Sequence, residues 1–131
     1  MKLSLTWILM SVLLTAALGA APAAAHERVE GSTITINASS RQVPQGRKDH
    51  FQGKLKSDWS KCFNWRNVSL LAGNKKIATK QTRQSGYSKF TVRVDSTKVW
   101  RVKFSGRSWG KHPHVHRCLA SSSKGIKVRA T

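Results

Sequence analysis

The chain has 131 residues, with 24 Lys+Arg against 5 Asp+Glu and a formal net charge of +19. This length leaves room for one modest hydrophobic core and excludes a multidomain enzyme. The charge excludes basic partners and favours anionic ones such as nucleic acid, acidic headgroups or wall polymers, while saying nothing about fold.

Residues 1–25 carry the pattern of a cleaved export signal. Lys2 supplies the basic start, Trp7 to Leu18 the apolar run, and Ala21-Pro22-Ala23-Ala24-Ala25 the small-residue cleavage site. The mature chain is predicted to start near His26. The apolar run is shorter than the roughly 20 residues a membrane span needs, and no second one follows. The expected product is therefore secreted or periplasmic, with no transmembrane anchor. Lys2 is the one charged residue in that segment, which leaves 23 Lys+Arg against 5 Asp+Glu, or +18, in residues 26–131.

Residues 26–32 are short, polar and unpatterned, and are expected to be frayed. Thr33–Ser39 then alternates Ile34, Ile36 and Ala38 with polar residues, the period of a half-buried strand. Val43-Pro44-Gln45-Gly46 reads as a turn, and Phe51, Gly53 and Leu55 alternate with Gln52, Lys54 and Lys56 as a second strand. Val68 and Leu70 begin a third, and Ala72-Gly73-Asn74-Lys75 turns into a fourth over Ile77–Thr82. Phe90, Val92 and Val94, then Trp100, Val102 and Phe104, alternate with basic and hydroxyl residues in the two clearest strands. A short strand is expected over Arg117–Ala120, and Ile126, Val128 and Ala130 close the chain.

Seven or eight short strands with intervening turns and no helical stripe predict an all-β domain, a single antiparallel sandwich over residues 26–131. The outward positions are repeatedly Lys or Arg, so both outer faces should be cationic. Cys62 and Cys118, the only cysteines, would enter an oxidising compartment and are expected to pair. A bridge closing so long a loop stabilises the fold by roughly 4 kcal/mol on the chain-entropy model.

The stretch Phe51-Gln52-Gly53-Lys54-Leu55, Cys62, Asn67-Val68-Ser69-Leu70-Leu71, Thr82 before Gly86-Tyr87 and Phe90, and Trp100-Arg101-Val102-Lys103-Phe104 resembles a known group. It is similar to secreted bacterial immunoglobulin-like domains of the carboxypeptidase-regulatory or transthyretin-like type. Cys118, followed by Ala120-Ser121-Ser122-Ser123 and a last Val-rich strand, resembles their disulfide-bearing members. The resemblance implies a seven-stranded sandwich serving as a non-catalytic structural or adhesive module. Arg83 stands where such domains commonly carry an acid after the threonine of the turn.

Gly106-Arg107-Ser108-Trp109-Gly110 matches the G-x-S-x-G string of hydrolase nucleophile elbows. An elbow needs a following helix and later acid and His partners, but no Asp or Glu occurs after Asp95, so the glycines read as loop residues. His112, His114 and His116 alternate on what looks like one extended segment and are weak metal candidates, more simply an exposed basic loop. No cofactor is implied.

A bridge between Cys62 and Cys118 would bring two basic-aromatic segments to one end of the sandwich. Trp59, Lys61 and Arg66 come from the first, and Arg107, Trp109, Lys111 and Arg117 from the second. Trp65 or Phe63 is expected to pack over the cystine, leaving Trp59 and Trp109 exposed. Trp100, Phe104, Tyr87 and Phe90 are expected in the core. The function expected from these residues is a non-catalytic module contacting an anionic polymer or surface. The alternative is a small secreted nuclease using His50, His112, His114 or His116 as acid or base, although carboxylates to partner them are scarce.

Overall fold

A computed structural model describes residues 26–131; the export signal read over residues 1–25 lies outside the described residues. The described residues form twelve strands: β1 (His26–Glu30), β2 (Thr33–Ala38), β3 (Gln42–Val43), β4 (Arg47–Lys56), β5 (Asn67–Ala72), β6 (Lys75–Gln81), β7 (Tyr87–Val94), β8 (Lys98–Phe104), β9 (Arg107–Lys111), β10 (His114–Cys118), β11 (Ser121–Ser122) and β12 (Ile126–Ala130). Short 3-10 turns at Ser60–Cys62 and Gln84–Gly86 are the helical elements among the described residues.

The core is an all-β sandwich. One sheet has the order β2-β4-β7 and the other β3-β12-β8-β5-β6, with β11 also paired to β8. The alternating apolar residues read from the sequence are its interior: Ile34 and Ile36 on β2, Phe51 and Leu55 on β4, Phe90 on β7, and Val102 and Phe104 on β8 are buried. Phe51 and Trp100 stack across the two sheets at a centroid distance of 4.6 Å. Gly53 sits at the closest approach, where a Cβ would lie 2.7 Å from Ser88 Oγ and 3.2 Å from Val102 Cγ1, so any side chain there would part the sheets. β6 forms an edge in which no residue is fully buried, and its Lys75, Lys76 and Lys80 discourage pairing with another chain.

Three expectations need correction. The segment expected to be frayed is strand β1 over His26–Glu30, paired in parallel with β10. It is pinned by Leu119 N donating to the Glu30 carbonyl and, just beyond, by Ser32 Oγ donating to the Leu119 carbonyl. The supposed loop around Ser108 is strand β9, the first arm of a hairpin with β10. Gly110 has φ +94°, and a Cβ there would run into the His114 carbonyl oxygen, so the hairpin needs glycine. The Val43 turn is likewise preceded by a short strand, β3, parallel to β12. These two pairings are parallel, and every other pairing among the described strands is antiparallel, as expected.

Candidate functional site

The sheet β1-β10-β9 lies at one end of the sandwich, and a disulfide fastens it there. Cys62 and Cys118 are bonded, with Cα atoms 5.5 Å apart and a sequence separation of 56. Cys62 closes the 3-10 turn after β4 and Cys118 ends β10, and both are buried.

Thr82 braces the Cys62 loop from beneath. Its hydroxyl donates to the Phe63 carbonyl at 2.6 Å and accepts from the Arg66 amide at 2.9 Å. The Ser85 amide donates to Asn64 Oδ1, and Gln81 Nε2 donates to the Trp65 carbonyl. Arg83, the departure from the resembled turn, is exposed and takes no part in these side-chain bonds.

Strand register sorts the end-sheet residues onto two faces, because paired residues share a face. Arg28, His116 and Trp109 form one row, with Glu30, Cys118 and Arg107 in the next, and His114 and Lys111 paired toward the hairpin turn. Arg117 falls on the opposite face with Val29 and Ser108. The structure therefore brings together Trp59, Lys61, Arg66, Arg107, Trp109 and Lys111 and separates Arg117 from them.

The centre of the gathered face is aromatic. Trp59 and Trp109 stack at 5.3 Å, and the His116 ring lies 5.4 Å and 5.6 Å from them. Cations seat on these rings. Arg28 Cζ is 4.1 Å and Lys61 Nζ 5.5 Å from the Trp59 centroid, and Arg66 Cζ is 5.1 Å from that of Trp109. A guanidinium resting on a ring keeps its N–H edge directed outward, ready for a carboxylate or phosphate. Arg66 Nε is spent on the Lys61 carbonyl at 2.6 Å, which fixes the side chain in place. Burial, and then the neighbouring charge of Arg107, lower the Arg66 pKa from its ordinary value, and an arriving anion would offset the repulsion from Arg107. The cluster holds a single ion pair, Arg28 Nε to Glu30 Oε1 at 3.1 Å.

The roles of the tryptophans are the reverse of those expected. Trp59 and Trp109 are half-buried and pack against the core, because two stacked indoles bury more apolar surface than either would alone. Phe63 is half-buried against the core, whereas Trp65, at φ +58°, turns outward and is 57% exposed. Tyr87, expected in the core, stands on the outer face of β7 at 37% exposure, with Lys54 Nζ 4.7 Å from its ring centroid.

His114 and His116 share one face of β10, as expected, but His112 does not join them. His112 lies in the β9–β10 turn, His114 and His116 are on β10, and His116 Nδ1 is buried with no hydrogen-bond partner. Among the described residues no group of three His, Cys, Asp or Glu side chains is placed to hold a metal. His50 Nδ1 bonds Thr91 Oγ1 at 2.9 Å on the far side of the molecule.

Arg28, in the segment expected to be frayed, and the ring contacts of His116 are not foreshadowed in the sequence. Neither carries a local signal, since both depend on the parallel pairing of β1 with β10. The chain matches no protein-family model and no curated protein. Among the described residues no helix is long and apolar enough to cross a membrane.

Proposed function

We propose that this protein is an exported, non-catalytic β-sandwich module that captures an anionic polymer at its cystine end. The observation that carries the reading is the seating of Arg28, Lys61 and Arg66 on a stacked Trp59–Trp109 pair, beside a bare Trp65. Preorganised cations lose less side-chain entropy on binding than free ones, and an exposed indole adds a surface for sugar or base. The disulfide accords with an extracellular setting, and the resemblance to bacterial immunoglobulin-like modules accords with a binding or structural role.

The test is binding of the purified protein to a panel of nucleic acids, acidic glycans and neutral glycans over a range of salt. Log K should fall linearly with log salt for the anionic members, and Lys61→Ala should flatten that slope by about one unit. Binding indifferent to salt would remove the proposal. An RNA-cleavage assay run alongside should show no turnover, and cleavage abolished by one His substitution would favour the nuclease reading.

A further inference from the structure

A second surface, using none of the cystine-end residues, has a regular geometry of its own. Outward positions on β4 and β7 pair into five rungs: Lys48 with Arg93, His50 with Thr91, Gln52 with Lys89, Lys54 with Tyr87, and Lys56 with Thr33 of β2. Every rung carries a Lys, Arg or His. Successive rungs are about 6.8 Å apart, twice the strand rise.

No carboxylate stands on this face. Asp49 of β4 points into the core and is buried, while Asp58 and Asp95 follow the ends of β4 and β7. None of the rung cations is in an ion pair among the described residues. Lys54 Nζ lies 4.7 Å from the Tyr87 ring centroid, and Arg93 Nε donates to the Gly46 carbonyl. So many close, uncompensated cations repel one another in the free protein, a cost that a matching polyanion would remove.

We propose that the outer face of β2-β4-β7 binds an extended polyol-phosphate polymer lying along β4. A phosphodiester chain with three carbons between its oxygens places one charge every six backbone bonds, roughly 7 Å when extended by the reach of about 3.5 Å per three bonds. That matches the rung spacing. Thr33, Thr35, Asn37, Gln52 and Thr91 supply hydroxyls and amides beside the cations, suited to polyol hydroxyls. A single-stranded nucleic acid has the same charge spacing but binds through bare aromatic faces. Here Tyr87, with Lys54 Nζ 4.7 Å from its ring centroid, is the one Phe, Tyr or Trp ring on the face among the described residues, and Phe51 and Phe90 point inward. The larger sheet offers a shorter track, broken by Leu71 and Val99.

The experiment uses poly(glycerol phosphate) fractions of graded length with the purified protein. Affinity should climb steeply with length until about five phosphates span the rungs, then rise only with the number of registers available. Lys48→Ala and Lys89→Ala should each reduce the magnitude of the salt slope by about 0.7. Both variants should also raise the melting temperature of the free protein, a readout that a merely solvating lysine would not move. Affinity independent of length, or equal losses from Lys103→Ala and Lys127→Ala on the other sheet, would overturn the proposal. Tighter binding of a single-stranded oligonucleotide of equal charge would overturn the choice of polymer. Loss of binding by Lys61→Ala alone, with the rung variants silent, would sink this inference and leave the cystine-end reading standing.

Discussion

The cystine end and the outer face of β2-β4-β7 are both cationic, yet they hold their charges differently. At the cystine end Arg28, Lys61 and Arg66 rest on indole rings, and one of them is paired with Glu30. Along β4 and β7 the cations stand in a row, each spaced from the next by the strand itself, with no acid among them. The first arrangement fixes the direction of each cation; the second fixes the spacing of successive cations along a bound chain. Net charge alone would not separate the two, because both come from the same excess of Lys and Arg.

The comparison breaks most severely if the disulfide is removed. Cys62→Ser should destabilise the fold by roughly 2–5 kcal/mol in denaturant unfolding. The disulfide ties the end of β10 to the Cys62 loop, so backbone exchange in β9 and β10 should rise more than in β4 and β7. Equal rises would show that the two regions unfold as one unit. Intact mass on the secreted product should give a start near His26 and two hydrogens fewer than the free dithiol.

Smaller effects sharpen the contrast. Trp109→Ala removes the stack with Trp59 and the seat of Arg66, and should cost about 1–3 kcal/mol of stability, less than a fully buried Trp because the ring is half-exposed. Trp65→Ala should leave stability nearly unchanged and weaken binding of ring-bearing polymers by about 1–3 kcal/mol, with no change in salt slope. A change in slope would mean that the ring acts by placing Arg66.

The smallest effect is a titration. Lys54 first, and then the charge of Lys56, favour the Tyr87 phenolate, so the pKa lies below the ordinary tyrosine value of 10.0. Phenolate absorbance should therefore appear at lower pH than for free tyrosine, and Lys54→Ala should move it upward. No movement would mean that Lys54 does not hold the position beside Tyr87.

Most of the sandwich was legible because its strands are half-buried and alternate, as Phe90, Val92 and Val94 do against Lys89, Thr91 and Arg93. The cationic faces followed from the same alternation. Strand β1 was not legible: His26–Glu30 has one apolar residue, and its order comes from main-chain pairing with residues some 88 positions away. The hairpin of β9 and β10 was hidden for a related reason, since Gly106 and Gly110 read as loop chemistry until the partner strand shows why glycine is required. The basic-aromatic cluster was foreseen through the two cysteines. Which indole faces outward was not, because Trp65 owes its exposure to a positive φ that sequence pattern does not reveal. Arg117 was misplaced by one step of strand parity relative to Trp109.

The central claim is that anion binding is localised on two surfaces of a uniformly basic molecule. The most direct measurement is the salt dependence of binding to long poly(glycerol phosphate) for three double variants: Lys61→Ala with Arg66→Ala, Lys48→Ala with Lys89→Ala, and Lys103→Ala with Lys127→Ala. The account predicts that the first two pairs each lower the slope magnitude by about 1.4, at roughly 0.7 per cation, while the third leaves it nearly unchanged. Equal flattening by all three pairs would show binding spread over the whole surface and would contradict it.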